Sequence, residues 1–363
     1  MARTIQVHEV RCKSVLNRVQ SEMMPFKWSI NPYRGCQHAC VYCYARRYHE
    51  YLDLGPGRDF ETQIFVKVNA PEVLRTELAR PSWRREWVAV GTAVDPYQPA
   101  EGRYKITRGV LESLCDYDTP VSIVTKNTMI VRDADILERL SRGAGCRVYF
   151  SLSTIEERLA RKLEPGTPPP LARLKVMRQL VERGIEAGVL VAPVLPGITD
   201  DDAALRRVAL AAAAHGARYL SGAPLRLQGS VRGVYLSFIE EAFPRLRKLY
   251  ETMYTGDYAP RGYRQRIGAK LHEMEKILEL GGRLGYGEKR SPTPTDETPG
   301  VALVGPGELR SSSDHGQSAS IRHPAGIGSG RRKPDLDSGR HLRTGSVKGI
   351  AIGNGAAQLC LFG

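Results

Sequence analysis

Cys36, Cys40 and Cys43 fall within eight residues and are spaced C-x3-C-x2-C. No other feature limits the fold as strongly, because a loop with three thiols this close together is built to present them to something. Thiolates are soft ligands that suit iron–sulfur clusters and zinc. One short loop can offer a thiolate to each of three irons of a cubane. The fourth iron is then open, and an open metal position is where a substrate or cofactor binds. Other readings of the same residues remain. Zinc would need a fourth ligand, and His38 lies inside the tight loop, where closing a tetrahedron is strained. A remote cysteine (Cys12, Cys115, Cys146 or Cys360) could complete an electron-transfer cluster, and three unrelated free thiols is the plainest alternative. Seven cysteines in 363 residues are too few for a disulfide-built secreted module.

The triplet follows a short apolar run, and the rest of the chain repeats that arrangement. Candidate strands at Lys27–Ile30, Ile64–Val68, Trp87–Gly91, Val121–Thr125, Arg147–Ser153, Gly188–Pro193 and Tyr219–Leu225 alternate with helical patterns at Ala70–Ala79, Thr107–Cys115, Asp133–Leu140, Pro170–Arg183 and Asp200–His215. Strand, helix, strand at this spacing predicts an α/β fold with a parallel sheet. Val189 to Ala192 is apolar throughout, as expected of a strand covered on both faces. Regular repetition favours an open or partial barrel, whose chemistry sits at the C-terminal ends of the strands. An α-rich stretch from Leu236 to Leu280 follows, stopped by Gly281-Gly282.

Residues 1–285 read as the folded domain, and 286–363 as a Gly/Ser/Pro-rich tail with too little apolar surface to order itself. The net charge of +14 rests mainly on the first part, which alone carries +11. That balance favours a polyanionic partner, with nucleic acid first. No apolar run reaches the roughly 18 residues of a spanning helix, which excludes an integral membrane protein built of helices. The first ten residues lack the apolar core of a secretory leader, so a cytoplasmic location is expected.

Tyr42 stands just before the last cysteine, and the text runs from Tyr33-Arg-Gly-Cys36 through Cys43-Tyr-Ala-Arg46. These residues resemble the radical S-adenosylmethionine (SAM) superfamily, and within it the spore photoproduct lyase-like branch. The resemblance spans about residues 25 to 230. It implies a partial (β/α)6 TIM-like barrel and a [4Fe-4S] cluster on Cys36, Cys40 and Cys43. It also implies reductive cleavage of SAM to a 5′-deoxyadenosyl radical by an electron from an external donor. Further stretches then become candidate cofactor contacts. Gly91-Thr92-Ala93 follows an apolar strand where the family binds the methionine amino group through backbone carbonyls, although it departs from the usual Gly-Gly-Glu pattern. Asp95 and Glu101 follow as acidic candidates for substrate contact or proton handling. Lys126, just past a buried strand, could meet the SAM carboxylate as a point charge. Ser151 and Ser153 share a strand face and offer hydroxyls. Val191 ends an apolar strand on which an adenine could rest. Arg158 and Arg161 precede Glu164-Pro-Gly166 and could reach the cofactor or a phosphate.

The tyrosines and arginines between Tyr250 and Arg266 suit stacking and phosphate contact, or equally the packing of a charged helix. The branch uses a cysteine as hydrogen donor. Cys115 and Cys146 look like buried core thiols, and neither matches that donor from sequence. The last six residues are Gln358-Leu359-Cys360-Leu361-Phe362-Gly363, and the first five of them resemble the bacterial sliding-clamp-binding pentapeptide. Gln358, Leu359, Leu361 and Phe362 would be its anchors, tethered by the tail. The expectation is therefore a radical SAM enzyme of lyase-like type acting on DNA. Radical chemistry on RNA or protein, or a non-catalytic iron–sulfur binding module, are the alternatives.

Overall fold

The computed structural model describes residues 4–20, 24 and 26–280. The tail, the Gly281-Gly282 stop and the terminal pentapeptide lie outside the described residues. Ten strands occur among those described: β1 (Gln6–Val10), β2 (Asn17–Arg18), β3 (Trp28–Ile30), β4 (Tyr33–Arg34), β5 (Gln63–Lys67), β6 (Val88–Val90), β7 (Val121–Thr125), β8 (Cys146–Ser151), β9 (Glu186–Val194) and β10 (Leu220–Pro224).

Six of them, β3, β6, β7, β8, β9 and β10, pair in parallel and in chain order, with the short β2 antiparallel outside β3. This is the open or partial barrel that the alternation predicts, in the (β/α)6 form that the resemblance implies. All three residues of β6 and all six of β8 are buried, as strands covered on both faces require. Helices cover the outside. In Ala134–Arg142, Ile136, Leu137 and Leu140 form the buried stripe. The helix Asp202–Ala214 starts where the Asp201 carboxylate accepts the Ala204 N–H at 2.8 Å, a capping bond that satisfies one orphan donor. The α-rich end comprises Val231–Ala242, Arg247–Met253 and Arg261–Ile277, the last packing against β10. No helix among the described residues is long and apolar enough to cross a membrane.

One expected barrel strand lies elsewhere. Ile64–Val68 corresponds to β5, which forms a separate three-stranded sheet between parallel β1 and antiparallel β4. Its burial alternates, with Ile64 and Val66 inside and Gln63, Phe65 and Lys67 half-exposed. That is the pattern of a sheet covered on one face, unlike the barrel strands.

Candidate active site

The cysteine loop is fixed by the protein before any ligand arrives. Where the chain leaves β3, the Asn31 side chain accepts the Ala93 N–H at 2.7 Å and so ties the loop to the end of β6. Gly35 follows at φ +73°, and a Cβ there would overlap the Gln63 carbonyl oxygen. The Gln98 amide donates to the Gly35 carbonyl at 2.9 Å and accepts the Gln37 N–H at 3.1 Å. Buried Arg46 donates to the Cys40 carbonyl at 3.0 Å and the Ala39 carbonyl at 3.2 Å, while Glu61 neutralises it at 2.6 Å. From the opposite side, the Gly166 N–H donates to the His38 carbonyl at 3.0 Å, and the Val41 N–H to Leu163 at the same distance. Gly166 packs so closely that a Cβ would overlap the Gln37 carbonyl oxygen.

The three thiols open into a cleft with about 930 Å³ of empty space, part of it open to solvent. Its walls come from the C-terminal ends of the barrel strands: Gly91, Ala93 and Asp95 after β6, Lys126 after β7, Ser151 closing β8, Ala192 on β9, and Arg226 after β10. On the floor the Lys126 ammonium donates to the Ser151 hydroxyl at 2.9 Å, and that hydroxyl donates to the Ala192 carbonyl at 2.8 Å. The ammonium also lies 5.7 Å over the Tyr42 ring. The Tyr42 hydroxyl donates to the Glu164 carboxylate, which pairs with buried Arg173 at 2.6 Å.

Charge is balanced within this buried shell. Burial pushes the Cys40 and Cys43 thiols up, with Lys126 opposing it at both sites and Arg46 at Cys43. Burial works against charge on His38, but Asp95, 3.3 Å from its Nδ1, and Cys36 overcome that and push it up to about 10. Burial likewise raises the Glu164 carboxyl, yet Arg173 and Lys126 hold it below its ordinary value. His38 thus pairs with Asp95, and the Asn127 side chain holds its Nε2 at 3.1 Å.

Of the candidate contacts, Cys36, Cys40, Cys43, Tyr42, Gly91, Ala93, Lys126 and Ser151 line one cleft. Thr92, Ser153 and Val191 do not. The Thr92 hydroxyl turns to Asn31 at 3.2 Å, and its carbonyl accepts the Tyr44 hydroxyl. Ser153 lies past the end of β8 and meets the Tyr42 hydroxyl at 3.3 Å. Val191 points into the core, so its neighbours Leu190 and Ala192 face the cleft instead. Asp95 lines the cleft with its carboxylate already accepting from Thr125 at 2.7 Å and the Lys126 N–H at 2.6 Å. Glu101 is outside it, fully buried beneath Tyr33 and Arg132. Arg158 and Arg161 stand on the surface, Arg161 paired with Glu157. Tyr250, Tyr254 and Tyr263 are core residues, with hydroxyls donated to Pro196, Leu225 and Asp200. Cys146 begins β8 while the cleft lies past its end, five residues and about 17 Å away. Among the described residues no cysteine beyond the triplet lines the cleft. Nothing local in the sequence marks Arg173 or Gln98 as a buried, paired side chain, and Arg46 stands out there only as the end of the motif that carries the resemblance.

The donor set fits an iron–sulfur cluster: three free thiols on one fixed loop, facing an open cleft with a cation on its wall. Among the described residues no three His, Cys, Asp or Glu side chains converge tightly enough to hold one ion. A four-iron cluster asks for less convergence, one thiolate per iron at separate corners.

A parallel partial barrel with such a loop at its C-terminal mouth defines a class of metalloenzyme, and comparison with known proteins gives the family. The sequence profile of the Radical SAM superfamily matches residues 30–208. An uncharacterized protein of Mycobacterium tuberculosis is 43% identical over 280 residues, which is 77% of this chain and 82% of that protein. An uncharacterized protein of Methanocaldococcus jannaschii is 27% identical over 196 residues, 54% of this chain and 70% of that protein. A spore photoproduct lyase variant solved with bound AdoMet and dinucleoside spore photoproduct superposes with a TM-score of 0.59 at 18% identity, covering 77% of this chain and 81% of that chain. The chain belongs to the radical SAM superfamily, has a spore photoproduct lyase-like fold, and is an enzyme whose cofactors are a [4Fe-4S] cluster and SAM.

Proposed function

We propose that this radical SAM enzyme acts on DNA, in a repair reaction of the spore photoproduct lyase type. Cys36, Cys40 and Cys43 hold the cluster. Lys126 meets the SAM carboxylate, the backbone at Gly91 and Ala93 faces the methionine end, Ser151 offers a hydroxyl, and Leu190 and Ala192 give the adenine an apolar rest. When bound, the cluster and SAM supply a one-electron cleavage of the sulfonium carbon–sulfur bond and a radical able to abstract hydrogen. The chain's own part is to orient those groups, keep the buried wall dry and hold its charge balanced. The observation that carries the reading is the cleft itself, which the three thiols and Lys126 line together at the barrel mouth. DNA as substrate draws support from the net charge of +14 and from the dinucleoside lesion bound in the protein of similar fold.

Anaerobic reconstitution with iron and sulfide, then reduction with SAM, tests the chemistry. 5′-Deoxyadenosine should form in the native protein and be lost in Cys40→Ala. A cluster that forms yet never cleaves SAM, with damaged DNA present, would instead favour a binding module. We also propose residues 1–285 as the catalytic domain and 286–363 as a tether whose Gln358, Leu359, Leu361 and Phe362 dock on a sliding clamp. Deletion of 358–363 should then abolish clamp capture while 5′-deoxyadenosine formation persists. The reducing cytoplasm is the compartment that suits its free thiols.

A further inference from the structure

We propose that the rim of the cleft is a docking rail for one unpaired DNA strand, with Tyr44, Tyr48 and Tyr51 on one side and the Arg226–Tyr258–Arg264 stack on the other. The first side is a single 3-10 helix, Tyr44–Leu52, that begins directly after Cys43. Tyr44 lines the cleft. One and two turns further out, the Tyr48 and Tyr51 rings stack 6.3 Å apart at 16°, and Tyr51 is 63% exposed. The Arg47 guanidinium lies 5.7 Å over Tyr48. On the second side Arg226 also lines the cleft. Its guanidinium sits 4.6 Å from the centre of the Tyr258 ring, and Arg264 lies 5.4 Å from the same ring. The two sides are neighbours, because the Arg226 charge acts on both the Tyr44 and the Tyr48 hydroxyl.

Nothing in the packing of the barrel requires a tyrosine as exposed as Tyr51. Its contrast is with Tyr250, Tyr254 and Tyr263, which are buried and hydrogen-bonded. Aromatic faces that run outward from a reaction cleft, interleaved with guanidinium groups, match a nucleic acid strand: bases stack on the rings and phosphates meet Arg47 and Arg264, while Arg226 is held by Asp257 at 3.6 Å. The strand must be unpaired, since bases inside a duplex already have both faces covered.

This inference rests on the DNA reading above, and one titration separates the two. The full-length, cluster-loaded protein is titrated anaerobically into a labelled oligothymidylate strand and a matched duplex, read by fluorescence anisotropy. The expected result is tighter binding of the strand. Tyr51→Ala should weaken it about tenfold, and Tyr51→Trp should restore it. Arg264→Ala should weaken it and lower the salt slope by about 1. Circular dichroism and iron content of each variant verify that fold and cluster are intact. Strand binding that neither Tyr51→Ala nor Arg264→Ala weakens, or a duplex that binds as well as the strand, would overturn the rail and leave the DNA reading standing. If neither DNA binds at low salt, the DNA reading itself fails, and the rail with it.

Discussion

Replacing Arg173 by methionine tests whether the buried pair behind Tyr42 holds the cysteine loop's surroundings together. The Arg173 and Glu164 side chains are 1% and 2% exposed and lie 2.6 Å apart. Arg173 also donates to the Ser151 carbonyl at 3.0 Å and the Pro168 carbonyl at 2.9 Å. Methionine keeps much of the volume and removes the charge. Breaking a buried pair from one side costs about 3–5 kcal/mol, because the remaining ion is left uncompensated. Lys126 and the Tyr42 hydroxyl compensate Glu164 in part, while the two carbonyls lose their donor. A net loss of about 4 kcal/mol is expected on those grounds. Adding Glu164→Gln removes the stranded charge and should return about 2 kcal/mol, a coupling typical of groups in one network.

The assay is urea unfolding of the cluster-free protein under reducing, anaerobic conditions, followed by circular dichroism. The pH dependence has a defined sign. Burial raises the Glu164 carboxyl, but Arg173 and Lys126 pull harder and hold it below its ordinary 4.5. The pair's contribution is therefore complete above pH 4.5 and is lost as the pH falls through the lower, folded value. The penalty of Arg173→Met must shrink in acid. A penalty below about 1 kcal/mol at neutral pH, or a double variant no more stable than Arg173→Met, would refute the account.

Gly166→Ala should cost about 1–3 kcal/mol and lower iron loading on reconstitution, because the added methyl meets the Gln37 carbonyl inside the cysteine loop; unfolding and iron analysis check both. Lys126→Gln should lower iron loading on reconstitution and, in the fraction that loads, weaken SAM binding about tenfold in calorimetry. Burial and the nearby Arg34 charge push Lys67 down to about 8 from its ordinary 10.5. A folded value below the unfolded one means the charged form opposes folding. That penalty is full below pH 8 and fades toward pH 10.5, so stability attributable to Lys67 rises across that window. Lys67→Met should raise the melting temperature at pH 7 and flatten that rise, as scanning calorimetry against pH would show.

What the sequence made legible is local or periodic. Three cysteines within eight residues identify the loop, and alternating apolar runs identify the six parallel strands. The rule that barrel chemistry sits at C-terminal strand ends then places Gly91, Lys126 and Ser151 at the cleft. What escaped depends on long-range pairing. β5 looked like one more repeat, though its alternation of Gln63, Phe65 and Lys67 with Ile64 and Val66 marked a one-sided sheet. Glu101 read as a free acid near the site, yet its partners Tyr33 and Arg132 are 68 and 31 residues away in sequence. Tyr250, Tyr254 and Tyr263 read equally as a contact surface or as helix packing, and only the long-range hydrogen bonds of their hydroxyls to Pro196, Leu225 and Asp200 decide for packing.

Those long-range pairs also explain why Lys126 stands apart in the site. Three ion pairs around the loop close on themselves: His38 with Asp95, Arg46 with Glu61, and Arg173 with Glu164. Each is neutral as a unit, although single members still reach a thiol: Arg46 eases Cys43 and Glu164 opposes Cys40. The Lys126 ammonium is bonded instead to the neutral Ser151 hydroxyl, and it faces Cys40 and Glu164 electrostatically. Burial alone would lower its hold on the proton, but the facing Cys40 and Glu164 side chains, with Asp95, more than reverse that and raise it above its ordinary value. Thiols raised by burial must release protons to take iron, so a fixed cation beside Cys40 favours loading of the site. The same ammonium, on the cleft wall, is then placed to meet a carboxylate entering beside the cluster. On the function proposed above, one lysine at the end of β7 would serve both the assembly of the metal site and the recognition of what binds there, so its substitution should lower iron loading and SAM affinity together.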